Sequence, residues 1–374
     1  MSTGLSAGTP AVEPVPRVMV IGVGLIGASI GSALTQRGWP VHLRDTRSSH
    51  ARVAETLGAG TAAPPLPEAV DMVVVAVPPV ALAGVVRQAL DTYPRATVTD
   101  VGSVKAGVLA EVWGHREVHR YVGSHPMAGT QHSGPTAARP DLFADRTWVI
   151  TPHRRSDPAS TEAVTRLALA CDARTLTMDV DDHDAAVARV SHLPHLMSVL
   201  TAGHLTTVGE RDLALAGPGL RDVTRIAGSD PGLWVQILSA NSTAVLAELR
   251  QVRDELSGLI GAIEDSGPEL VGDDRDTLAL RETLARGQAG TRRIPGKHGA
   301  PAITYEQVVI EIPDAPGALA GLFADVGQAG VNVEDVAIEH DQNRQVGYLA
   351  LSVEPEAAAG LADVMTAKGW NVQP

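Results

Sequence analysis

Short apolar runs alternate with helical stretches through the first half of the chain. RVMVIG (17–22), VHLRD (41–45), DMVVVAVP (71–78) and ATVTDVG (96–102) are rich in β-branched residues and bounded by Gly, Pro or Asp. Such continuous apolar runs are typical of parallel strands buried on both faces. With helices between them, they form repeated βαβ units. The pattern predicts an α/β fold over residues 17–179, a Rossmann-type domain with a doubly wound parallel sheet.

The strand pattern then gives way to helical periodicity. Between residues 180 and 285 apolar residues recur at intervals of three and four, which predicts an all-helical second domain. Inside it, AGPGLRDVTRIAGSDPGLW (216–234) is rich in Gly and Pro, and we expect this break between helices to face a ligand.

Residues 286–304 are basic, Gly- and Pro-rich and without periodicity, which predicts a linker. Residues 305–374 have the order βαββαβ of a ferredoxin-like module.

Composition narrows the class of protein. A chain of 374 residues is long enough for two or three domains, and its net charge of −13 argues against a nucleic-acid partner. The single cysteine, Cys171, excludes a disulfide framework and a cysteine-rich metal site. Residues 1–16 have neither the basic start nor the apolar run of a signal peptide, and no apolar run is long enough to suggest a membrane span. We expect a cytoplasmic protein with a disordered N-terminal tail.

A glycine motif follows the first predicted strand. Gly22, Gly24 and Gly27 form G-x-G-x-x-G at the start of a predicted helix. In a dinucleotide site the first glycine allows a tight turn, the second lets the pyrophosphate approach the backbone, and the third lets the helix pack on the strand. Asp45 ends the next strand, where a carboxylate accepts ribose hydroxyls. The motif predicts NAD, although two flanking arginines leave NADP open.

Two polar residues follow later strands. Ser103 comes after ATVTDVG, where its hydroxyl would bond a substrate or, as the alternative, cap the next helix. His125, in GSHPMAGT, follows the predicted strand RYV and precedes a proline that keeps its backbone extended. An imidazole beside a dinucleotide can take the proton of an alcohol as the hydride leaves. His132, further along the same segment, is expected to be an ordinary loop residue.

The helical domain adds candidates of its own. His192 and His195 lie one turn apart, but no Asp, Glu or Cys completes a ligand set at a recognised spacing, so no metal is expected. Arg221 and Arg225 lie near Trp234 in the sequence. The arginines could bind a carboxylate while the tryptophan forms an apolar wall beside it, although surface arginines are common.

Taken in order, VIGVGLIGASIG, DVGSVK, GSHPMAGT, SHLPH and RDVTRIAGSDPGLW resemble the TyrA family of prephenate and arogenate dehydrogenases over about residues 17–285. The resemblance implies NAD-dependent oxidative decarboxylation of prephenate in tyrosine biosynthesis, with a homodimer formed by the helical domain. It implies catalytic roles for His125 and Ser103. The implied substrate-binding residues are Arg225, His195, Thr130, Gln131 and Trp234. The implied cofactor-binding residues are Gly22, Gly24, Leu25, Ile26, Gly27 and Asp45.

Substrate choice and regulation stay open within this resemblance. Some relatives have an acidic residue, associated with arogenate, where this chain has Gln131; the neutral amide favours prephenate, but its carbonyl can also bond an ammonium. The segment VVIEIPDAPGALAGLFADVGQAGVNVEDVAIEH resembles an ACT domain. That likeness implies an amino-acid effector, expected to be tyrosine, near Gly317 and Asn332.

Two other functions would use similar architecture. A β-hydroxyacid dehydrogenase would need a catalytic lysine on the helical domain, but no lysine occurs between Lys105 and Lys297. A ligand-sensing protein with an idle dehydrogenase would not need the serine, histidine and arginine of the motifs.

Overall fold

The computed structural model describes residues 15–129, 134–266, 278–294, 305–341 and 346–373. Residues 1–14 of the predicted tail lie outside the described part. Contacts divide the chain into two compact units, Met1–Gly258 and Leu259–Pro374. No described helix combines the length and apolar composition needed to cross a membrane.

The first unit begins with four βα repeats. Its elements are β1 (Val18–Ile21), α1 (Leu25–Gln36), β2 (Val41–Arg44), α2 (Ser48–Thr56), β3 (Met72–Val75), α3 (Pro79–Thr92), β4 (Thr97–Asp100) and α4 (Ala106–Val112). The strands form a parallel sheet in the order β2-β1-β3-β4. The predicted parallel α/β sheet is confirmed for these strands.

Both faces of this sheet are buried, which explains why its strands are apolar throughout. Val18 and Val20 of β1 belong to one core cluster with residues of α1, and Met19, between them, belongs to a second cluster with residues of α3. Successive side chains of a strand point to opposite faces. Helices therefore cover both faces, as the doubly wound prediction required.

The remaining strands of this unit depart from the prediction of one parallel sheet. The elements are β5 (Gly123–Pro126), β6 (Thr147–Thr151), α5 (Pro158–Leu169) and β7 (Arg174–Thr177). They form a separate sheet, β5-β6-β7, in which β5 and β6 are antiparallel and β6 and β7 are parallel. A parallel pair needs a crossover, usually a helix. The described residues between β5 and β6 supply only a short 3₁₀ turn, Pro135–Ala137.

The predicted helical segment is helical. It contains α6 (Val180–Val187), a π-helical turn at Ala188–His192, α7 (Leu193–His204), α8 (Glu210–Leu213), α9 (Pro218–Thr224), α10 (Pro231–Ala240) and α11 (Ser242–Ser266). The expected break at 216–234 is largely helical as well. Pro218 and Pro231 occupy the first turns of α9 and α10, where a missing N–H costs nothing. Here proline marks helix starts and not an open loop.

The second unit contains a four-stranded antiparallel sheet. Its elements after α12 (Leu278–Thr291) are β8 (Glu306–Pro313), α13 (Ala318–Gln328), β9 (Asp335–Asp341), β10 (Val346–Val353), α14 (Pro355–Ala367) and β11 (Asn371–Val372). The strand order is β11-β8-β10-β9, and alternate residues of β10 are buried. The element order is therefore the predicted βαββαβ.

One part of the predicted linker is helical, because α12 continues to Thr291. Gly287 and Gly290 lower helix propensity by about 1 kcal/mol each relative to alanine, but they do not end a helix. Residues 295–304 of the same segment lie outside the described part. The predicted domain boundaries, 17–179, 180–285 and 305–374, stay predictions.

Candidate active site

A cleft of about 1550 Å³ lies in the first unit, where the carboxyl ends of β1 to β4 face α7 and α10. Ligands of doubly wound sheets bind at this edge. The lining includes most of the residues singled out from the sequence: Gly22, Gly24, Leu25, Ile26, Asp45, Ser103, His125, His195, Arg225 and Trp234. Residues far apart in the chain thus meet in one cavity.

The three glycines of the motif have different surroundings. Gly22 has φ +94°, and a Cβ there would overlap the carbonyl oxygen of Ala76. A Cβ on Gly27 would overlap the carbonyl oxygen of Gly22, so this glycine lets α1 pack against the turn. A Cβ on Gly24, by contrast, would meet no atom within 4 Å. Packing therefore requires the first and third glycines, whereas the second faces open space at the N-terminus of α1.

Asp45 joins this turn to the end of β2. Its Oδ2 accepts the backbone N–H of Val23 at 2.7 Å, and its Oδ1 accepts that of Arg47 at 2.8 Å. The carboxylate is thereby held at the cleft wall beside the glycine turn, where the motif requires it.

His125 lies within β5, and not after a strand as the sequence suggested. Of the predicted strand RYV, Arg120 lies in a 3₁₀ turn, Val118–Arg120, and Tyr121 makes a single parallel bridge to Val98 of β4. Pro126 is tolerated because β5 lies at the edge of the sheet β5-β6-β7. Burial, followed by the electrostatic influence of His183, Lys105 and His192, holds the pKa of His125 well below its usual 6.5. The imidazole is therefore neutral at physiological pH and available as a base.

The Nδ1 atom of His125 is already engaged. It lies 3.0 Å from Nε2 of His183, whose Nδ1 lies 2.7 Å from Oδ1 of Asp184. The carboxylate of Asp184 accepts the backbone N–H groups of Lys105 at 2.9 Å and Ala106 at 2.8 Å. A hydrogen-bonded chain thus extends from the cleft to the first turn of α4.

Ser103 lines the cleft but does not cap α4, which begins at Ala106. The capping alternative is wrong, because Asp184 from a distant segment accepts the N–H groups at this helix start. The Ser103 hydroxyl has no hydrogen-bond partner among the described residues and is free to bond a ligand.

The opposite wall is aromatic and cationic. The rings of His195 and Trp234 are stacked, with centroids 3.5 Å apart and an interplanar angle of 4°. Burial lowers the pKa of His195, so this wall is uncharged at the histidine. Arg225 lines the cleft in the turn after α9, whereas Arg221 is absent from the lining. The structure brings one arginine, and not the pair, to the cleft.

A buried polar group that no sequence motif predicted lies beneath the cleft. Lys105 Nζ donates to the carboxylate of Asp100 and, at 2.7 Å, to the carbonyl of Ser124. Tyr121 donates to the other oxygen of Asp100 at 2.7 Å. Neither this group nor the pair His183–Asp184 follows a recognised sequence spacing. In the sequence, the only sign of the pair is a histidine among acidic residues at the start of a helix.

Two sequence-based candidates, Thr130 and Gln131, lie outside the described residues, as does His132. Among the described residues, no group of three or more His, Cys, Asp or Glu could hold a metal ion.

Comparison with known proteins gives consistent results. Residues 30–177 match the family model described as prephenate dehydrogenase, nucleotide-binding domain, and residues 179–284 match prephenate dehydrogenase, dimerization domain. A Streptomyces niveus protein named "Probable prephenate dehydrogenase NovF" is 34% identical, with 94% of this chain and 98% of that protein covered.

Solved structures agree in fold. One is prephenate dehydrogenase from A. aeolicus in complex with hydroxyphenyl propionate and NAD+, which is 25% identical with a TM-score of 0.65 and covers 74% of this chain and 98% of its own. Another is Synechocystis arogenate dehydrogenase, which is 26% identical with a TM-score of 0.60 and covers 73% of this chain and 99% of its own.

Proposed function

The chain belongs to the prephenate dehydrogenase family, and we propose that it catalyses the NAD-dependent oxidative decarboxylation of prephenate to 4-hydroxyphenylpyruvate, a step of tyrosine biosynthesis. Membership confirms the family and the oxidoreductase class predicted from the sequence. The A. aeolicus structure contains NAD+ and a hydroxyphenyl compound, which supports the cofactor and the type of ligand proposed for this chain.

The observation that carries the proposal is a neutral histidine in the cleft that also holds the glycine turn. Because burial lowers the pKa of His125, its imidazole is unprotonated at neutral pH and has a lone pair available for the substrate proton. Ser103 and Arg225 line the same cleft, so a hydroxyl donor and a carboxylate-binding group are available around the base.

The reaction needs little more than these groups. His125 accepts the proton of the ring hydroxyl, and the electron pair of the O–H bond forms the carbonyl as the C4 hydride leaves. The bond between the ring and its carboxylate then breaks, carbon dioxide departs, and the electron pair makes the ring aromatic. The proton returns to the ring oxygen. We assign Ser103 to bonding the hydroxyl and Arg225 to a substrate carboxylate.

The residues at the glycine turn fit NAD. When bound, NAD would accept the hydride together with its electron pair. The open space at Gly24 and the N-terminus of α1 suit a pyrophosphate, since backbone N–H groups point towards an anion there. The Asp45 carboxylate suits ribose hydroxyls and would repel the 2′-phosphate of NADP.

The activity test uses the purified full chain with prephenate and NAD. We expect the absorbance of reduced nicotinamide to increase with time. His125→Asn should reduce kcat by about 10²- to 10⁴-fold, the usual contribution of a general base, with little change in NAD affinity. His153→Gln is the matched control, because His153 is also a partly buried histidine, bonded to the Tyr121 carbonyl at 3.1 Å. No turnover of either prephenate or arogenate would refute the proposal.

Arogenate is the second candidate substrate, favoured by the likeness to the Synechocystis arogenate dehydrogenase. Gln131 is the residue to test, since a carboxylate there would pair with the ammonium of arogenate. We expect the wild type to have the higher kcat/KM with prephenate and Gln131→Glu to shift the ratio towards arogenate. Equal ratios in the two proteins would remove Gln131 from substrate choice. The same comparison with NADP tests Asp45.

We also propose that residues 305–374 form an ACT domain that binds tyrosine. Gly317 has φ +89° at the start of α13, and the Asn332 amide bonds the Glu334 carboxylate nearby in sequence. Asn332→Ala should weaken tyrosine binding, measured by calorimetry, without altering basal turnover. Asn371→Ala is the control, because Asn371 also bonds a glutamate, Glu311, at 3.0 Å. The absence of tyrosine binding to the wild type would refute this assignment.

A homodimer is proposed from the helical segment. Large apolar side chains are exposed on several helices of this segment, among them Leu200 of α7 at 63% and Val235 of α10 at 64%, and a contiguous apolar surface marks a protein–protein interface. The matched family model is a dimerization domain. Light scattering should give twice the mass of the 38.9 kDa chain, and a monomer at micromolar concentration would contradict the proposal.

A further inference from the structure

A chain of hydrogen bonds lies behind His125 and has no counterpart in the sequence motifs. We propose that His183 and Asp184 are positioning residues that hold His125 in the tautomer with hydrogen on Nδ1 and a free lone pair on Nε2. The inference rests on the proposed function for its consequence in catalysis. The tautomer itself can be measured without substrate.

Asp184 fixes the direction of the chain. Although burial acts to raise it, the pKa of the Asp184 carboxyl is lowered by the His183 hydrogen bond and by the N–H groups of Ala106 and Lys105. An ionised carboxylate only accepts hydrogen bonds. His183 must therefore donate to it through Nδ1, across the 2.7 Å contact.

The donor and acceptor atoms of His125 follow from those of His183. In the proposed arrangement the fully buried His183 is a neutral imidazole with one N–H and one lone pair, so that it donates through Nδ1 and accepts through Nε2. The atom 3.0 Å from this lone pair is Nδ1 of His125, which consequently carries the hydrogen. The remaining ring nitrogen, Nε2, keeps the lone pair that a general base needs.

Both ends of the chain are tied to one residue. The backbone N–H of Lys105 donates to Asp184, and its buried side chain donates to the carbonyl of Ser124, the residue before His125. The Asn241 amide adds a bond of 2.8 Å to the carbonyl of Asp184. The three groups are therefore fixed in position as well as in direction.

This arrangement defines the proton transfer. The O–H bond of the substrate breaks, its electron pair forms the carbonyl bond as the hydride leaves, and a new N–H bond forms at Nε2 of His125. The resulting imidazolium keeps its Nδ1–H bonded to His183, whose other hydrogen bond ends on the negative Asp184. No proton needs to move along the chain, and the one on Nε2 returns to the product oxygen.

The direct test is ¹⁵N NMR of histidine-labelled protein without substrate, with the His125 signals assigned by comparison with His125→Asn. We expect a protonated Nδ1 and an unprotonated Nε2 at neutral pH. A proton on Nε2 would overturn the inference, even if the enzyme turns over prephenate. Failure to oxidise prephenate with the expected NMR signature would instead overturn the proposed function alone.

Two substitutions of His183 form a matched pair. In His183→Gln the amide oxygen can lie near the position of Nε2 and accept from His125, whereas the shorter side chain of His183→Asn can reach Asp184 but not His125. We expect kcat to fall by about 10²- to 10⁴-fold in His183→Asn, as when a catalytic histidine loses its tautomer. In His183→Gln the loss should be about tenfold, the worth of one hydrogen bond. KM for prephenate should change little in both.

Thermal unfolding and circular dichroism establish that each variant is folded, and His153→Gln serves as the control for replacing a histidine elsewhere. A folded His183→Asn with wild-type kcat would overturn the inference. So would equal losses in the asparagine and glutamine variants with an unchanged ¹⁵N signature, because His183 would then act only as packing.

Discussion

Replacing Gly24 with alanine should separate cofactor binding from folding. Gly24 precedes α1 with φ −84° and ψ −157°, which alanine can adopt. The new Cβ would meet no atom within 4 Å, so nothing in the described structure has to move. It would enter the open space where we propose that the pyrophosphate of NAD approaches the backbone.

The magnitudes for folding and binding have opposite signs. A glycine-to-alanine change in a compatible conformation stabilises a protein by about 0.4–1 kcal/mol, because the unfolded chain loses freedom. Displacing a phosphate from one backbone N–H loses a hydrogen bond to a charged group, worth about 1.5–3 kcal/mol. At 1.36 kcal/mol per factor of ten, Kd for NAD should increase about 10- to 150-fold.

Calorimetric titration with NAD and urea unfolding of the same samples measure the two effects. Gly22→Ala is the contrasting variant: its φ of +94° and the overlap with the Ala76 carbonyl should destabilise the fold by about 1–3 kcal/mol or more. If Gly24→Ala bound NAD as tightly as the wild type, the assignment of Gly24 to the pyrophosphate would be wrong. A marked loss of stability in Gly24→Ala would show that the space is not open.

Other variants test the remaining parts of the site. Ser103→Ala should lower kcat/KM about tenfold and leave stability unchanged, whereas a helix cap would cost about 1 kcal/mol in urea unfolding. Arg225→Ala should raise KM for prephenate about 10- to 150-fold, and an unchanged KM would remove it from carboxylate binding. Burial raises the pKa of Cys171 to about 12, so a thiol reagent should label the native protein far more slowly than the urea-unfolded one. Burial also lowers the pKa of His192 to about 4, against about 6.5 when unfolded. As the pH is lowered from 6.5 to 4, the unfolded state takes up the proton first, so the free energy of unfolding should decrease, and it should decrease less in His192→Gln.

Local sequence patterns were enough to predict most of the secondary structure and the chemistry of the glycine turn. The spacing of apolar residues is a local property of the sequence, whether they form a continuous run or recur every two or every three to four positions. For this reason β1 to β4 and the helices after residue 180 could be predicted directly from the sequence. The glycine motif is also local in sequence, although only the structure shows that packing requires Gly22 and Gly27 and leaves Gly24 facing open space. The approximate position of His125 at the sheet edge followed from the strand pattern, although the strand itself begins at Gly123.

Which polar groups contact one another depends on the folded chain. His125 and His183 are separated by 58 positions, and Lys105 and Asp184 by 79, so no spacing rule relates them. The antiparallel pairing of β5 and β6 is likewise a matter of chain path. Ser103 shows the difference clearly: as an isolated serine before a helix it suits a cap, but Asp184 already occupies that position in space. Local sequence fixes backbone preference, whereas the donors and acceptors at a buried site are satisfied by whichever segments the fold packs together.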